Sequence, residues 1–285
     1  VFRIPHYQRF YSWRHKQRQD LFEDLKKLLS VGGDNHHFMA TIVCYDTKHT
    51  YPVGGEEYAL YDVVDGQQRL TTLILILKAI QLALDETAEE RKDLANLLLK
   101  RDGNLILLQT NNPNEHIFNA FLREGREPSN AEIKTHADQN LKNAIRECRG
   151  FVDQWQRDKG DLLSLLRLVK NRLGFVLYDT GDSRAVYTLF EVLNSRGLAV
   201  DWLDKSKSVL MGKAFELAAS PKAAQAAIES LQKLWGDVYR ELAQVSVSGE
   251  EILRVAATLR YGPSRGKPLQ AEASLEQFRS ECKTP

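Results

Sequence analysis

A chain of 285 residues with 43% apolar content can bury one large core or two modest ones. Its formal net charge of +1 excludes a global field for a polyanion, and no apolar run reaches the roughly 20 residues of a membrane span. Cys44, Cys148 and Cys282 are odd in number and far apart, so they offer neither a disulfide framework nor a metal spacing. That usage fits a reducing compartment, and with no signal peptide in view a cytoplasmic location is expected. Charge is uneven locally: residues 1–30 carry seven Lys/Arg against three Asp/Glu, and residues 252–271 carry four basic residues and no acidic one. A first residue other than Met and a short polar tail read as a piece of a longer chain.

Residues 3–13 crowd aromatics, Gln8 and several arginines into a segment that Pro5 biases away from helix. It reads either as a strand or loop packing its rings on the core, or as an arm that touches a ligand. Leu21, Leu25, Leu28 and Leu29 mark an amphipathic helix over 16–30, closed by Gly32 and Gly33. Strands are expected at 37–46 and 57–64, pairing as a hairpin around a loop at 47–56. Next, Leu70 to Leu84 contains no Pro or Gly and is apolar almost all round, which predicts a buried central helix. A charged stretch and a second helix reach about Lys100, a short strand follows at 105–108, and the pattern from 114 to 159 is helical with a break near 125–129. Helix over 162–170, a strand at 173–178, a helix from Arg184 capped by Asp182 or Ser183, and helices at 201–219, 222–243 and 249–261 complete the order before a Gly/Pro linker at 262–268. The class is α+β: a small mixed sheet with a central helix, plus a large helical region. The divisions are 1–85 as a core, 86–172 as a helical insertion, 173–215 as a segment returning to the core, and 216–285 as a C-terminal helical region.

Between the strand ending at Val64 and the central helix lie Asp65, Gly66, Gln67, Gln68 and Arg69. The first N–H groups of a helix lack intrahelical partners and sit at the positive end of its dipole, so this turn suits a phosphate. The plainer reading makes Asp-Gly a simple turn and Arg69 a buried partner of Asp65. Five polar or flexible residues between two strongly apolar elements favour function, because such breaks concentrate at sites. Asn194-Ser195-Arg196-Gly197 is a second polar tip, at an expected helix C-terminus; there Arg196 either satisfies carbonyls or walls a site. Phosphate-loop and dinucleotide glycine motifs are absent, and no His follows His136, which excludes an HNH nuclease module from the second half of this chain.

Three stretches in order carry a resemblance: Ile4-Pro5-His6-Tyr7-Gln8-Arg9-Phe10-Tyr11-Ser12-Trp13; Asp65-Gly66-Gln67-Gln68-Arg69-Leu70-Thr71-Thr72-Leu73; and Phe190 to Leu198, followed by Asp204 and Lys207. The chain resembles the N-terminal domain of GmrSD-type restriction proteins, a DGQQR-box group of the ParB/sulfiredoxin-like superfamily. The resemblance implies a ParB/sulfiredoxin-like sheet, a nucleotide site, and NTP hydrolysis with Mg²⁺ tied to DNA restriction or phage defence. Residue by residue, it implies that Tyr7, Gln8, Arg9, Gly66, Asn194 and Arg196 bind nucleotide and that Asp65, Gln67, Gln68 and Arg69 form the phosphate and catalytic side. Arg69 would fork onto phosphate oxygens, and Asp65 would orient a water or hold the metal.

Implied partners are a nucleotide, DNA in the full-length protein, and a C-terminal nuclease domain or partner subunit. A homodimer is left open and no membrane is implied. A non-hydrolysing nucleotide or modified-DNA sensor and a ParB-like nuclease are the alternatives. The chain departs from the family at Phe10, where Pro is common, at Ala40, where Gly is frequent, and at Lys205, where an apolar residue is usual. Gln67 stands where sulfiredoxins carry a reactive Cys, so thiol chemistry is not expected.

Overall fold

The computed structural model describes residues 1–5, 7–30, 37–100, 105–110, 115–180, 202–245, 247–262 and 266–281. The chain divides into two compact units, Val1–Pro5 with Arg9–Gly181, and His6–Gln8 with Asp182–Pro285. The expected segment 173–215 is therefore split between them.

In the first unit, β1 (Phe2–Ile4), α1 (His15–Ser30), β2 (His37–Val53), β3 (Glu56–Asp65) and α2 (Gln67–Ala83) lead into α3 (Glu89–Leu98) and the short strands β4 (Leu99–Lys100), β5 (Leu105–Ile106) and β6 (Leu108–Thr110). Helices α4 (Glu115–Glu124), α5 (His136–Lys159) and α6 (Leu162–Arg167) precede a π-helical turn and β7 (Leu173–Thr180). The sheet order is β6-β1-β3-β2-β7, with β4 and β5 forming a separate pair. Pairing is mixed: β1 runs parallel to both β3 and β6, β2 antiparallel to β3, and β2 parallel to β7. A two-pronged ion pair, Arg3 Nε to Asp62 Oδ1 at 2.6 Å and Nη2 to Oδ2 at 3.0 Å, clamps β1 to β3.

The hairpin forms, but β2 extends to Val53 where a loop was expected. Polar side chains and Pro52 look like loop in sequence, yet beyond Tyr45 the described pairing of β2 is with β3 alone. On such a ribbon Pro52, which has no N–H to give, sits opposite Glu57 without breaking a ladder on its other side.

Helix α2 is buried as its composition demands: every residue from Thr71 to Ile80 is buried. It begins at Gln67, three residues earlier than expected, because Gly66 makes the whole turn from β3. Its φ of 88° is in the left-handed region, and its carbonyl accepts the Leu70 N–H at 3.0 Å to close the first helical turn. Helix α5 packs along α2 and against α1, with Phe22 and Phe151 stacked at 4.5 Å. Arg18 of α1, almost wholly buried, donates from Nε and Nη2 to Glu147 of α5 at 2.9 and 2.6 Å and also to the carbonyl of Trp13. Burial alone would raise the Glu147 carboxyl; the Arg18 hydrogen bonds overcome it and hold the group below its ordinary range.

The second unit holds α7 (Trp202–Leu217), α8 (Pro221–Gln244), α9 (Gly249–Tyr261) and α10 (Ala271–Glu281). The last was not expected; its few apolar residues look like a polar tail, but Phe278 meets Tyr261 edge-on at 5.6 Å and Arg254 donates to the Leu269 carbonyl at 3.0 Å. Met211 and Ala214 of α7 pack on Ile228 of α8.

Two stability predictions follow from α2. Lys78 is 4% exposed, and no hydrogen bond or ion pair reaches its amine among the described residues. Desolvation, reinforced by the Arg91 charge, lowers its pKa from 10.5 to about 8. Below pH 8 both folded and unfolded chains hold the proton, so the full cost of burying the charge is present; it is relieved as pH rises from about 8 to 10.5. Lys78→Met should raise Tm at pH 7 by about 2–4 °C per kcal/mol relieved, and the gain should shrink across that window in thermal melts. Gly66→Ala should cost about 1–2 kcal/mol in urea denaturation, because a Cβ opposes left-handed backbone; Gly66→Asn should cost less.

Candidate functional site

Ile4, Asp65 and Thr110 end three strands that run in one direction, β1, β3 and β6. The carboxyl ends of parallel strands are where open sheets bind ligands, since chain turns and helix N-termini gather there. A small cavity lies here against the first turn of α2. Gln67, Gln68 and Thr71 reach it from α2, Thr71 one turn beyond the two glutamines. Arg9 and Tyr11 reach it from the N-terminal segment, Ile4 and Thr110 from the facing strands β1 and β6, and Phe118 and Leu141 from α4 and α5. One lining group is a guanidinium, and none of the described lining residues is acidic. With the positive end of the α2 dipole beside it, the cavity favours an anion.

The N-terminal segment is fixed there by one side chain. Gln68 Oε1 accepts the Ser12 N–H at 2.8 Å, and its Nε2 donates to the Phe10 carbonyl at 3.0 Å. Between those two residues, the Tyr11 hydroxyl meets Thr72 Oγ1 at 2.9 Å, and Thr72 Oγ1 donates to the Gln68 carbonyl at 2.8 Å. Burial pushes the Tyr11 hydroxyl well above the ordinary phenol range, so it stays protonated and serves as a hydrogen-bonding group rather than a base. Cys148, beside Thr72, is likewise raised by burial and remains an unreactive thiol.

Arg69 does not line the cavity. Its guanidinium lies 5.9 Å from the centre of the Trp13 ring. Burial works against its charge, and the fields of Asp65 and Asp24 work for it. No hydrogen bond or ion pair reaches it among the described residues, so the plainer reading of Arg69 as a direct partner of Asp65 is not what forms. Asp65 pairs through its backbone register with Val43 of β2, and its side chain is half-buried. Gly66 lies between Asp65 and α2.

Tyr7 and Gln8 belong to the second unit. Both are buried, and Lys207 of α7 donates to Gln8 Oε1 at 3.1 Å and to the Tyr7 carbonyl at 3.4 Å. The same ammonium is 3.5 Å from Asp204 Oδ1 and lies over the rings of Tyr7 and Tyr239, while the Tyr239 hydroxyl donates to Asp204. Gln8 is thus held within a buried, charge-compensated cluster. Asn194 and Arg196, together with the expected helix from Arg184 and its cap, lie outside the described residues.

Of the residues singled out in sequence, the structure brings Arg9, Gln67 and Gln68 to one cavity. Thr71, Thr110, Phe118 and Leu141 were missed. Thr71 had a signal, being four residues beyond Gln67 on one helical face; the others come from elements whose meeting no local pattern reveals. Among the described residues no group of three or more His, Cys, Asp or Glu could hold a metal ion. A largely hydrated Mg²⁺ would need only one or two carboxylates beside substrate phosphates, and Asp65 is a carboxylate at the end of β3, one residue before the Gly66 turn.

No curated protein matches the chain. Residues 1–211 match the family described as the GmrSD restriction endonuclease, N-terminal domain. That match spans both the N-terminal segment and the Asp65–Leu73 stretch whose geometry is given above, and most of the chain. The chain belongs to the family of GmrSD restriction endonuclease N-terminal domains, and so to the proteins of restriction and phage defence.

Proposed function

We propose that this chain binds a nucleoside triphosphate through its phosphates at the N-terminus of α2 and hydrolyses it in the service of DNA restriction. The observation that carries the reading is the cavity itself: a guanidinium, amide and hydroxyl groups and a helix N-terminus converge at the carboxyl ends of three parallel strands, with no acidic side chain among the described lining residues. In this reading Arg9 forks onto a phosphate, while Gln67 and Thr71 donate to its oxygens. Arg69 is a second cation for the phosphates; among the described residues no hydrogen-bonding partner has to be given up for it to take that role. Asp65 orients the attacking water or holds Mg²⁺, which would supply charge neutralisation on the phosphate oxygens. The family resemblance alone carries Tyr7, Gln8, Asn194 and Arg196 as nucleotide-binding residues. DNA and a nuclease module are the partners that the restriction role calls for.

Gln68 takes a different part from its neighbours. Both halves of its amide are spent on the backbone of residues 10 and 12, which makes it the residue that positions the arm carrying Arg9.

A non-hydrolysing sensor is the second reading. It is favoured by one observation: none of the described residues lining the cavity is a carboxylate or histidine that could serve as a base.

The test is phosphate release from each of the four NTPs with Mg²⁺, with and without DNA. Release should fall roughly 100-fold in Arg69→Ala and in Arg9→Ala, the usual cost of removing one transition-state donor. No release under any condition would sink hydrolysis, and calorimetric binding without turnover would establish the sensor. For Gln68, Gln68→Ala strands one buried donor and one buried acceptor, so urea denaturation should show a loss of about 2 kcal/mol or more. A loss near zero would remove it as the anchor of the arm.

A further inference from the structure

Helix α9 (Gly249–Tyr261) lies outside the residues matched by the family, and one of its faces is left to solvent. Its packed side is spent on α7 and α10. There Gly249, Leu253 and Ala257 are buried at four-residue spacing, and Arg254 and Thr258 bond to Leu269 just ahead of α10. The other side of such a helix is normally polar. Here it carries Ile252, Val255, Ala256 and Leu259, at the i, i+3, i+4, i+7 spacing of a packing stripe. Val255 is 53% exposed, and Leu259, at 84%, is more exposed than any other large apolar side chain among the described residues. Ala256 is exposed and Ile252 half-buried. Val245 and Val247, each 45% exposed, lead into the same end of the helix. Val247 and Ile252 hold the N′ and N4 positions of a hydrophobic staple around the Ser248 cap. Single exposed apolar residues are ordinary, whereas a contiguous row marks an interaction surface.

We propose that this face is an interface between two copies of the chain, with α9 packed antiparallel on the α9 of a second copy. The charges that border the stripe select that occupant. At about 100° per residue, Glu251 falls on one border near the N-terminal end, and Arg260 on the other border near the C-terminal end. A two-fold axis passing between Val255 and Ala256 reverses both the direction along the helix and the side. It therefore brings Arg260 of each copy to Glu251 of the other, and Ile252 to Leu259, the self-matching that a two-fold interface requires. Both charged side chains are exposed. The cap bonds of Glu251 use Oε2, which leaves Oε1 for such a pair. Arg260 donates from Nε to the Tyr261 hydroxyl and lies 3.7 Å from Glu281, surface contacts weak enough to be shared. Ala256, small and beside the axis, lets the two helices approach closely. The stripe covers roughly 10 Å of helix, so the interface is at the small end of its class and the dimer is weak and reversible. None of this rests on the nucleotide reading.

The experiment is sedimentation velocity on the 285-residue chain over roughly 10–500 μM, a range suited to an interface of this size. The wild type should pass from monomer to dimer as concentration rises. Leu259→Glu should stay monomeric throughout, and so should Val255→Lys, a second variant of the same face. Arg260→Glu sets two pairs of carboxylates against each other and should weaken the dimer roughly 10-fold. Combining it with Glu251→Arg exchanges the charges and should return most of the lost affinity. Circular-dichroism melts check the fold of every variant; Leu259→Glu should melt within a few degrees of wild type, because so exposed a side chain adds little to the core. A wild type that stays monomeric at every concentration overturns the proposal and leaves the face to a different chain. A dimer that survives Leu259→Glu places the contact elsewhere and overturns it as well. A dimer that Leu259→Glu abolishes but the double exchange fails to restore overturns the antiparallel pairing.

Discussion

One amide holds the first unit's site together. Gln68 grips the backbone on either side of Tyr11, and a polypeptide gripped at residues 10 and 12 has little freedom left at residue 9. The two bonds are made by a side chain in the first turn of a helix that is buried for the next ten residues, so the grip is as rigid as the core beneath it. Tyr11 strengthens it by reaching Thr72, one turn further along the same helix, in a place dry enough that its hydroxyl cannot ionise. In such surroundings hydrogen bonds are strong when complete and costly when broken, which is why a single glutamine can fix a whole segment. Gln67, just before it, shares the cavity with it, while Arg69, just after it, projects to Trp13. Helical geometry, with about 100° between successive residues, lets neighbouring side chains part in this way.

The parts of this arrangement that local chemistry encodes were legible. A helix apolar all round can only be buried, and α2 is. Helix α9 falls on its expected bounds because a serine cap and a closing glycine punctuate it. The class, a small mixed sheet with a large helical part, follows from the same patterns. What failed did so for identifiable reasons. Gln67 to Arg69 are polar, and polarity next to a glycine looks like a loop; Gly66 completes the turn alone, so those residues are already helix. The ribbon at 46–53 looks like a loop because its strand has a partner on one side only and carries the residues that such an edge tolerates. Helix α10 hid behind its polarity.

The site was half visible. Gln67 and Gln68 stood out because they interrupt apolar surroundings, and Arg9 through the motif it shares with the family. Phe118 and Leu141 have the helical spacing of ordinary core residues, and most residues with that spacing are only core; their presence at a cavity depends on how α4 and α5 meet β6, which no window of sequence contains. Gln8 shows the converse. It stood out as a candidate ligand group, and the cluster of Lys207, Asp204 and Tyr239 that holds it is assembled from residues far along the chain that no local window contains.

The bond from Lys207 to Gln8 spans 199 residues of sequence. Strand β1 likewise finds its partners only at Tyr61 and Leu108. The beginning of the chain is therefore among the last parts to be finished. As it leaves the ribosome, its first strand must wait for β6, and Tyr7 and Gln8 must wait for α7, before their polar groups are satisfied. Closing loops of that length costs entropy before any contact repays it, so folding should be slow and ordered by arrival, with the local helices forming first. A nascent or truncated chain that stops short of α7 leaves Tyr7 and Gln8 without Lys207, the kind of unfinished surface that chaperones hold and proteases cut. Phe2–Ile4, Tyr7 and Gln8 are thus seated only after partners far along the chain have arrived.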